Sequence, residues 1–200
     1  MTRSIRGGVF FSAALFVAVF LAVSFAAAQD LPEQGGHELE VWTGGGRSVT
    51  GGIGNTSVWN AGFRYGWVLT DPHGPGFLNG RFEFAVDAVP AFVVLQQPNT
   101  AYGAGVNPVV LKWIFATRRH FDPYLELSSG PLFTTHEVPP KTSAINFASG
   151  GALGTYFFGK HRWSAEVRYM HISNGSLAVL NPGVNTVQVR LGFGKFFGKK

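Results

Sequence analysis

The sequence predicts an all-β protein, an eight-stranded antiparallel transmembrane β-barrel behind an export leader. Three observations lead there. Apolar and polar residues alternate strictly over several long stretches, the period of a strand whose two faces meet different surroundings. Charged residues make up 14 % of the chain and aromatics another 14 %, with 19 Phe and 27 Gly, against about 25 % charge in an ordinary soluble domain. After the first 28 residues no segment is both long and apolar, which excludes transmembrane helices.

Arg3 and Arg6 precede an almost unbroken apolar run from Val9 to Phe25, and Ala26-Ala27-Ala28 then stand before Gln29-Asp30. Positive start, apolar stretch and small-residue site in that order predict a cleaved signal peptide over residues 1–28. The other reading is an uncleaved N-terminal helix, since the run is nearly long enough to span a bilayer. Residues 29–200 are then one outer-membrane β-barrel domain. The leader carries two of the 16 basic residues and none of the 11 acidic ones, so the mature chain keeps a surplus of three. That is too weak to argue for nucleic acid and is compatible with an anionic lipid surface. With no cysteine, an exported chain lacks disulfides, and closed backbone pairing is what remains to hold it.

Strands are predicted near 37–48, 56–70, 79–89, 104–116, 121–133, 143–158, 161–173 and 185–197, separated by turn-forming residues. Asp71-Pro72-His73-Gly74-Pro75-Gly76, Gln97-Pro98-Asn99, Arg118-Arg119-His120 and Pro139-Pro140 mark connections, and Gly159-Lys160 marks a tight hairpin. Long and short connections are expected to alternate, as loops on one side of a membrane and turns on the other.

From Val58 to Leu69 one face reads Trp59, Ala61, Phe63, Tyr65, Trp67 and Leu69, and the other Val58, Asn60, Gly62, Arg64, Gly66 and Val68. Phe82, Phe84, Val86 and Ala88 oppose Arg81, Glu83, Ala85 and Asp87. Ala165, Val167 and Tyr169 oppose Ser164, Glu166 and Arg168, and Val187, Val189, Leu191 and Phe193 oppose Gln188, Arg190, Gly192 and Gly194. Ionic residues recurring beside glycine suit a narrow hydrated interior crossed by ion pairs, with the aromatics toward lipid. A soluble lipocalin-like barrel would carry the same alternation inverted. The leader and the low charge favour aromatics outward.

The seventh strand ends Arg168-Tyr169-Met170-His171-Ile172-Ser173-Asn174-Gly175. Residues two apart on a strand share a side, so His171 and Ser173 continue the apolar face of Val167 and Tyr169. There they fit a general base and a nucleophile within reach of a membrane lipid's ester. An imidazole takes a hydroxyl proton at neutral pH, and Asn174 and Gly175 can turn backbone N–H groups toward a developing oxyanion. On the spacing alone the plainer reading prevails: interfacial polar residues ahead of an ordinary Asn-Gly turn.

The stretch His171-Ile172-Ser173-Asn174, followed by Asn181-Pro182-Gly183-Val184-Asn185 and a closing strand, resembles the lipid A 3-O-deacylases of the PagL type. That family is an eight-stranded outer-membrane barrel with a His-x-Ser-Asn motif near its C-terminus. The specific motifs lie within 168–197, and the layout extends over the mature chain. The resemblance implies a lipid A deacylase, a serine esterase that hydrolyses an ester-linked acyl chain at the outer membrane. Ser173 falls on the nucleophile, His171 on its base, and Asn174, Gly175 and Ser176 on the oxyanion hole. Lipid A, or the lipopolysaccharide that carries it, is the implied partner, with no cofactor and no metal. A homodimer is compatible with the layout.

Two departures matter. The family commonly has Ala-Gly where this chain has Gly175-Ser176. Its type enzyme orients the histidine with a glutamate in the region where this chain has Asn185, and no acidic residue follows Glu166. An Asn can hold an imidazole tautomer, as in Cys-His-Asn sites, but cannot balance the imidazolium charge. Either Asn185 orients His171 as the third catalytic residue, or an acid elsewhere does, or the barrel is a catalytically weak relative. The alternative is a non-enzymatic outer-membrane barrel, structural or binding. Glu83 and Asp87 with Arg81, and Glu166 with Arg168, read as interior ion pairs. His37, His73, His120, His136 and His161 stand near loops or strand ends, without metal-ligand spacing.

Overall fold

The structure, a computed structural model, describes residues 33–117, 121–157 and 162–198. The expected leader, the Arg118-Arg119-His120 turn and the Gly159-Lys160 hairpin lie outside the described residues. Eight strands follow in chain order: β1 His37–Ser48, β2 Ser57–Val68, β3 Gly80–Leu95, β4 Ala101–Phe115, β5 Phe121–Thr134, β6 Ile145–Phe157, β7 Arg162–Ser173 and β8 Val184–Phe197. Each pairs antiparallel with its sequence neighbours, and β8 pairs with β1, so the barrel closes. Closure leaves no strand edge with unpaired N–H and C=O groups, which is what lets strands stand in lipid. The single helical turn among the described residues is a 3₁₀ turn at Gly76–Leu78.

The faces fall as the alternation predicts. Phe63 is 54 % exposed while Arg64 beside it is 1 % exposed. Trp59, Val167, Tyr169 and Val189 are exposed on the outside, and Glu83, Glu166 and Arg190 are buried inside. The inverted, aromatic-lined barrel is thereby overturned.

Inside, the ion pairs run across the barrel as well as along strands. Arg64 on β2 meets Asp87 on β3 through Nε at 2.7 Å and Glu126 on β5 through Nη1 at 2.6 Å. Arg190 on β8 reaches Glu166 on β7 at 2.8 Å and Glu126 at 3.2 Å, and Arg168 also pairs with both acids. Lys112 on β4 sits between Glu38 at 2.8 Å and Glu83 at 3.2 Å. Inward glycines make room for large neighbours: a Cβ on Gly62 would lie 2.5 Å from the Trp42 ring, and one on Gly154 2.3 Å from that of Tyr124. Toward the end that carries the 174–183 loop the interior becomes apolar, with Val58, Val94, Leu132, Ala148, Met170, Ile172 and Val184 packed together. The interior is thus filled with side chains, as in other small barrels.

Two departures from the sequence reading have one cause. β3 runs on to Leu95, beyond the expected Val89, and β4 begins at Ala101, before the expected 104. Ala61 pairs with Ala91 and Phe63 with Ala88, so Val89 and Pro90 together oppose Gly62. This β-bulge shifts the alternation by one residue: Asp87 and Val89 point inward before it, Phe92 and Val94 after it. A second bulge lies between Gly105 and Val109 on β4. The expected alternation of loop lengths is also broken, because the 69–79 connection lies at the end with the described termini, and the short 96–100 connection at the other.

Candidate active site

Strand pairing places His171 on β7 directly opposite Asn185 on β8 and opposite Ser149 on β6, and Ser173 opposite Phe147. His171 and Ser173 both point outward and are half-buried. The Asn185 side chain belongs to the same outward row, with Val187 and Val189, yet it is only 5 % exposed. Its cover comes from the β1–β2 connection. Val49 N–H donates to Asn185 C=O at 2.8 Å and Ile53 N–H to Gly183 C=O at 2.9 Å, which lays Thr50 and Gly51 against the β8 surface.

That cover fixes the orientation of three groups in turn. Asn185 Nδ2 faces the Thr50 carbonyl at 3.4 Å, an acceptor only, so the amide NH₂ belongs on that side. Asn185 Oδ1 then lies 2.6 Å from His171 Nδ1, which makes Nδ1 the protonated nitrogen. Nε2 is left with its lone pair, the tautomer a general base requires. Glu166 takes no part: it points inward, bonded to Arg168, Arg190 and Tyr124. Among the described residues no carboxylate bonds to His171.

Backbone contacts hold the ring in place as well. Gly183 has φ +67, and a Cβ there would stand 2.7 Å from His171 Cε1, so the imidazole lies flush against residue 183. After Ser173 the chain enters a tight turn built on Asn174. The Asn174 amide N–H donates to Asn181 Oδ1 at 3.1 Å, Asn174 Nδ2 to the Leu180 carbonyl at 2.8 Å, and the Ser176 N–H to Asn174 Oδ1 at 2.9 Å. Gly175 and Ser176 both adopt positive φ, 59 and 66. Of the three amides expected to serve an oxyanion, those of Asn174 and Ser176 are engaged within the turn. The Gly175 N–H donates to none of the described residues.

A family model described as lipid A 3-O-deacylase (PagL) matches residues 54–194, a span that takes in His171, Ser173 and Asn185. The chain belongs to this family. Its fold agrees with the crystal structure of the outer membrane enzyme PagL at a TM-score of 0.58 and 18 % sequence identity, over 76 % of this chain and 97 % of that one. No curated protein matches the sequence. The barrel is accordingly the outer-membrane barrel of the PagL family. Thr50 and Gly51, which cover Asn185, lie before the matched residues.

Four contributors escape a reading of the sequence. Thr50 and Gly51 are remote from Asn185 along the chain, and only the glycine-rich run from Gly44 to Gly54 hints at a close approach. Gly183 appears in the motif, but its contact with the ring is visible only in three dimensions. Ser149 faces His171 from β6 and hydrogen-bonds Ser129 on β5 at 2.7 Å, so the outward polar row spans four strands. The signal for that was available: Ser129 and Ser149 sit on the lipid-facing parity of strands otherwise bearing Leu125, Leu127 and Leu153.

Proposed function

We propose that the chain is a lipid A deacylase that works as a serine esterase on the outer surface of the barrel. Ser173 Oγ attacks the carbonyl carbon of an ester-linked acyl chain while His171 Nε2 takes its proton. The imidazolium then returns the proton to the departing sugar oxygen, leaving an acyl-Ser173 intermediate and the deacylated lipid. Water, deprotonated by His171, attacks that intermediate, and the imidazolium returns the proton to the departing Ser173 Oγ as the fatty acid is released. Asn185 holds the tautomer throughout, with the Thr50 carbonyl fixing Asn185. The Gly175 N–H is the backbone donor for the oxyanion, and Asn174 and Ser176 shape the turn that presents it.

The observation that carries this reading is the outward imidazole whose Nδ1 is held at 2.6 Å by Asn185 Oδ1, beside a serine on the same face. Because both point away from the lumen, the ester is reached from the bilayer. The family membership supplies lipid A as substrate class. We further read residues 1–28 as a leader removed on export, and the end bearing 49–56, 96–100, 135–144 and 174–183 as the outer side.

The test is the mass spectrum of lipid A from cells expressing wild type or Ser173→Ala. Loss of one acyl chain in the first and none in the second is the expected result. Identical spectra would leave the non-enzymatic barrel.

A further inference from the structure

Arg47 is out of place on this barrel. Arg64, Arg168 and Arg190 lie inside, buried and paired with acids. Arg47 is on the opposite face: it pairs across β1 with Val187 on β8 and Ser57 on β2, and shares the outward side with Val41, Thr43 and Gly45. It is exposed, and among the described residues it has neither a salt bridge nor a hydrogen-bonded side-chain partner. Apart from Ser57 its outward neighbours are apolar: Val187, Val189 and Trp59 are exposed on the same outer wall, with Leu95 beyond Ser57. A lone cation on a lipid-facing wall is costly unless it reaches the interface or an anion.

Its position relative to the site is specific. Val187 is the next outward residue after Asn185 on β8, and Arg47 lies beside it on β1. Neighbouring strands are about 4.8 Å apart and two residues along β8 add about 7 Å, so Arg47 stands roughly 12 Å from His171. A long guanidinium side chain covers much of that distance. The segment that follows Arg47, through Thr50 and Gly51, is the one that covers Asn185, so substrate held by Arg47 lies against the catalytic row. The sugar headgroup of lipid A carries phosphate monoesters, and a guanidinium matches a phosphate with paired N–H donors.

We propose that Arg47 is a substrate-positioning residue that binds a phosphate on the lipid A headgroup while Ser173 addresses the acyl ester. The proposal rests on the deacylase reading for its reaction and on Arg47's own placement for its ligand. Full-length mature protein in detergent micelles is given lipid A with its phosphates intact, or the same lipid A after chemical dephosphorylation. The quantity read is the ratio of kcat/KM for the two lipids, which cancels any general damage from a substitution. Wild type should favour the phosphorylated lipid by about tenfold or more, the scale of one charge-assisted contact. Arg47→Gln should bring the ratio close to one, chiefly through KM, and Arg47→Lys should restore part of it. An unchanged ratio in Arg47→Gln overturns the proposal, as does a wild type indifferent to phosphate. If wild type hydrolyses neither lipid, the deacylase reading fails by itself. The same comparison is then made on binding, by retention of each lipid on wild type and on Arg47→Gln. Lost selectivity upholds the phosphate contact, and equal retention removes it.

Discussion

The Asn185 amide oxygen stands 2.6 Å from His171 Nδ1 across the β7–β8 ladder, while its nitrogen faces the Thr50 carbonyl. A neutral side chain thus orients the imidazole and brings no negative charge to it. Asn185→Ala should lower deacylation about 10²-fold, the scale of a correctly placed general base. Asn185→Glu should keep or raise the rate, because a carboxylate adds the missing charge stabilisation. Its second oxygen must turn from the Thr50 carbonyl, the acceptor that the amide nitrogen meets at 3.4 Å. Turnover of lipid A by the purified variants measures both. A wild-type rate in Asn185→Ala would remove Asn185 from the site.

Gly183→Ala tests the ring from its other side. At φ +67 an added Cβ is strained, and it would meet His171 Cε1 at 2.7 Å. The ring must move, and a displacement of order 1 Å costs roughly 10²-fold in rate. Stability should fall far less, since residue 183 lies in a connection next to the start of β8. Heat-modified migration on gels should stay that of a folded barrel while activity falls. Equal activity would mean that the ring position is not limiting.

The leader is tested by the N-terminus of the purified protein. Arg3, Arg6, the apolar run and Ala26-Ala27-Ala28 together predict cleavage before Gln29. Intact-mass measurement of protein from the outer-membrane fraction should give a chain beginning at Gln29. A chain retaining Val9 to Phe25 would favour the uncleaved helix.

Much of this architecture was legible in the sequence because a barrel strand is a local pattern. The apolar and polar faces of β2, β7 and β8 could be read residue by residue, since nothing interrupts their period. At Pro90 the pattern slipped, and a bulge that adds one residue looks in sequence like the end of a strand. The site divides in the same way. His171 and Ser173 are two residues apart, and their common face follows from geometry alone. Asn185 could be named from the motif but not placed against the ring. The hold of Thr50 on it depends on the closure of β1 against β8, which no local pattern records. The interior ion pairs show the limit too: Arg64 and Asp87 are neighbours across a hairpin, but Glu126 gathers arginines from β2, β7 and β8.

That gathering makes the final prediction, on which side of the wall stability resides. Glu126 is buried against Arg64, Arg168 and Arg190, so Glu126→Gln leaves these three guanidiniums to share Asp87, Glu166 and, for Arg64, Glu40 at 3.8 Å. Removing one partner from such a buried group costs up to about 3–5 kcal/mol. Gln188 points inward and accepts from Asn60 Nδ2 at 3.0 Å. Gln188→Leu therefore strands a buried donor, at about 1–3 kcal/mol. Next to it, Val189 is 56 % exposed on the outer wall. A lysine there should cost about 2–4 kcal/mol if it meets the bilayer midplane, and close to nothing if it meets water. Urea unfolding of the three variants in lipid vesicles and in detergent separates these origins. The Glu126→Gln and Gln188→Leu losses should persist in both media, because the lumen is the same in each. The Val189→Lys loss should appear in vesicles and shrink in micelles, whose surface deforms around a charge. If Val189→Lys folds as well as wild type in vesicles, the outer wall does not face lipid at that height, and the path by which an acyl ester reaches Ser173 from the bilayer falls with it.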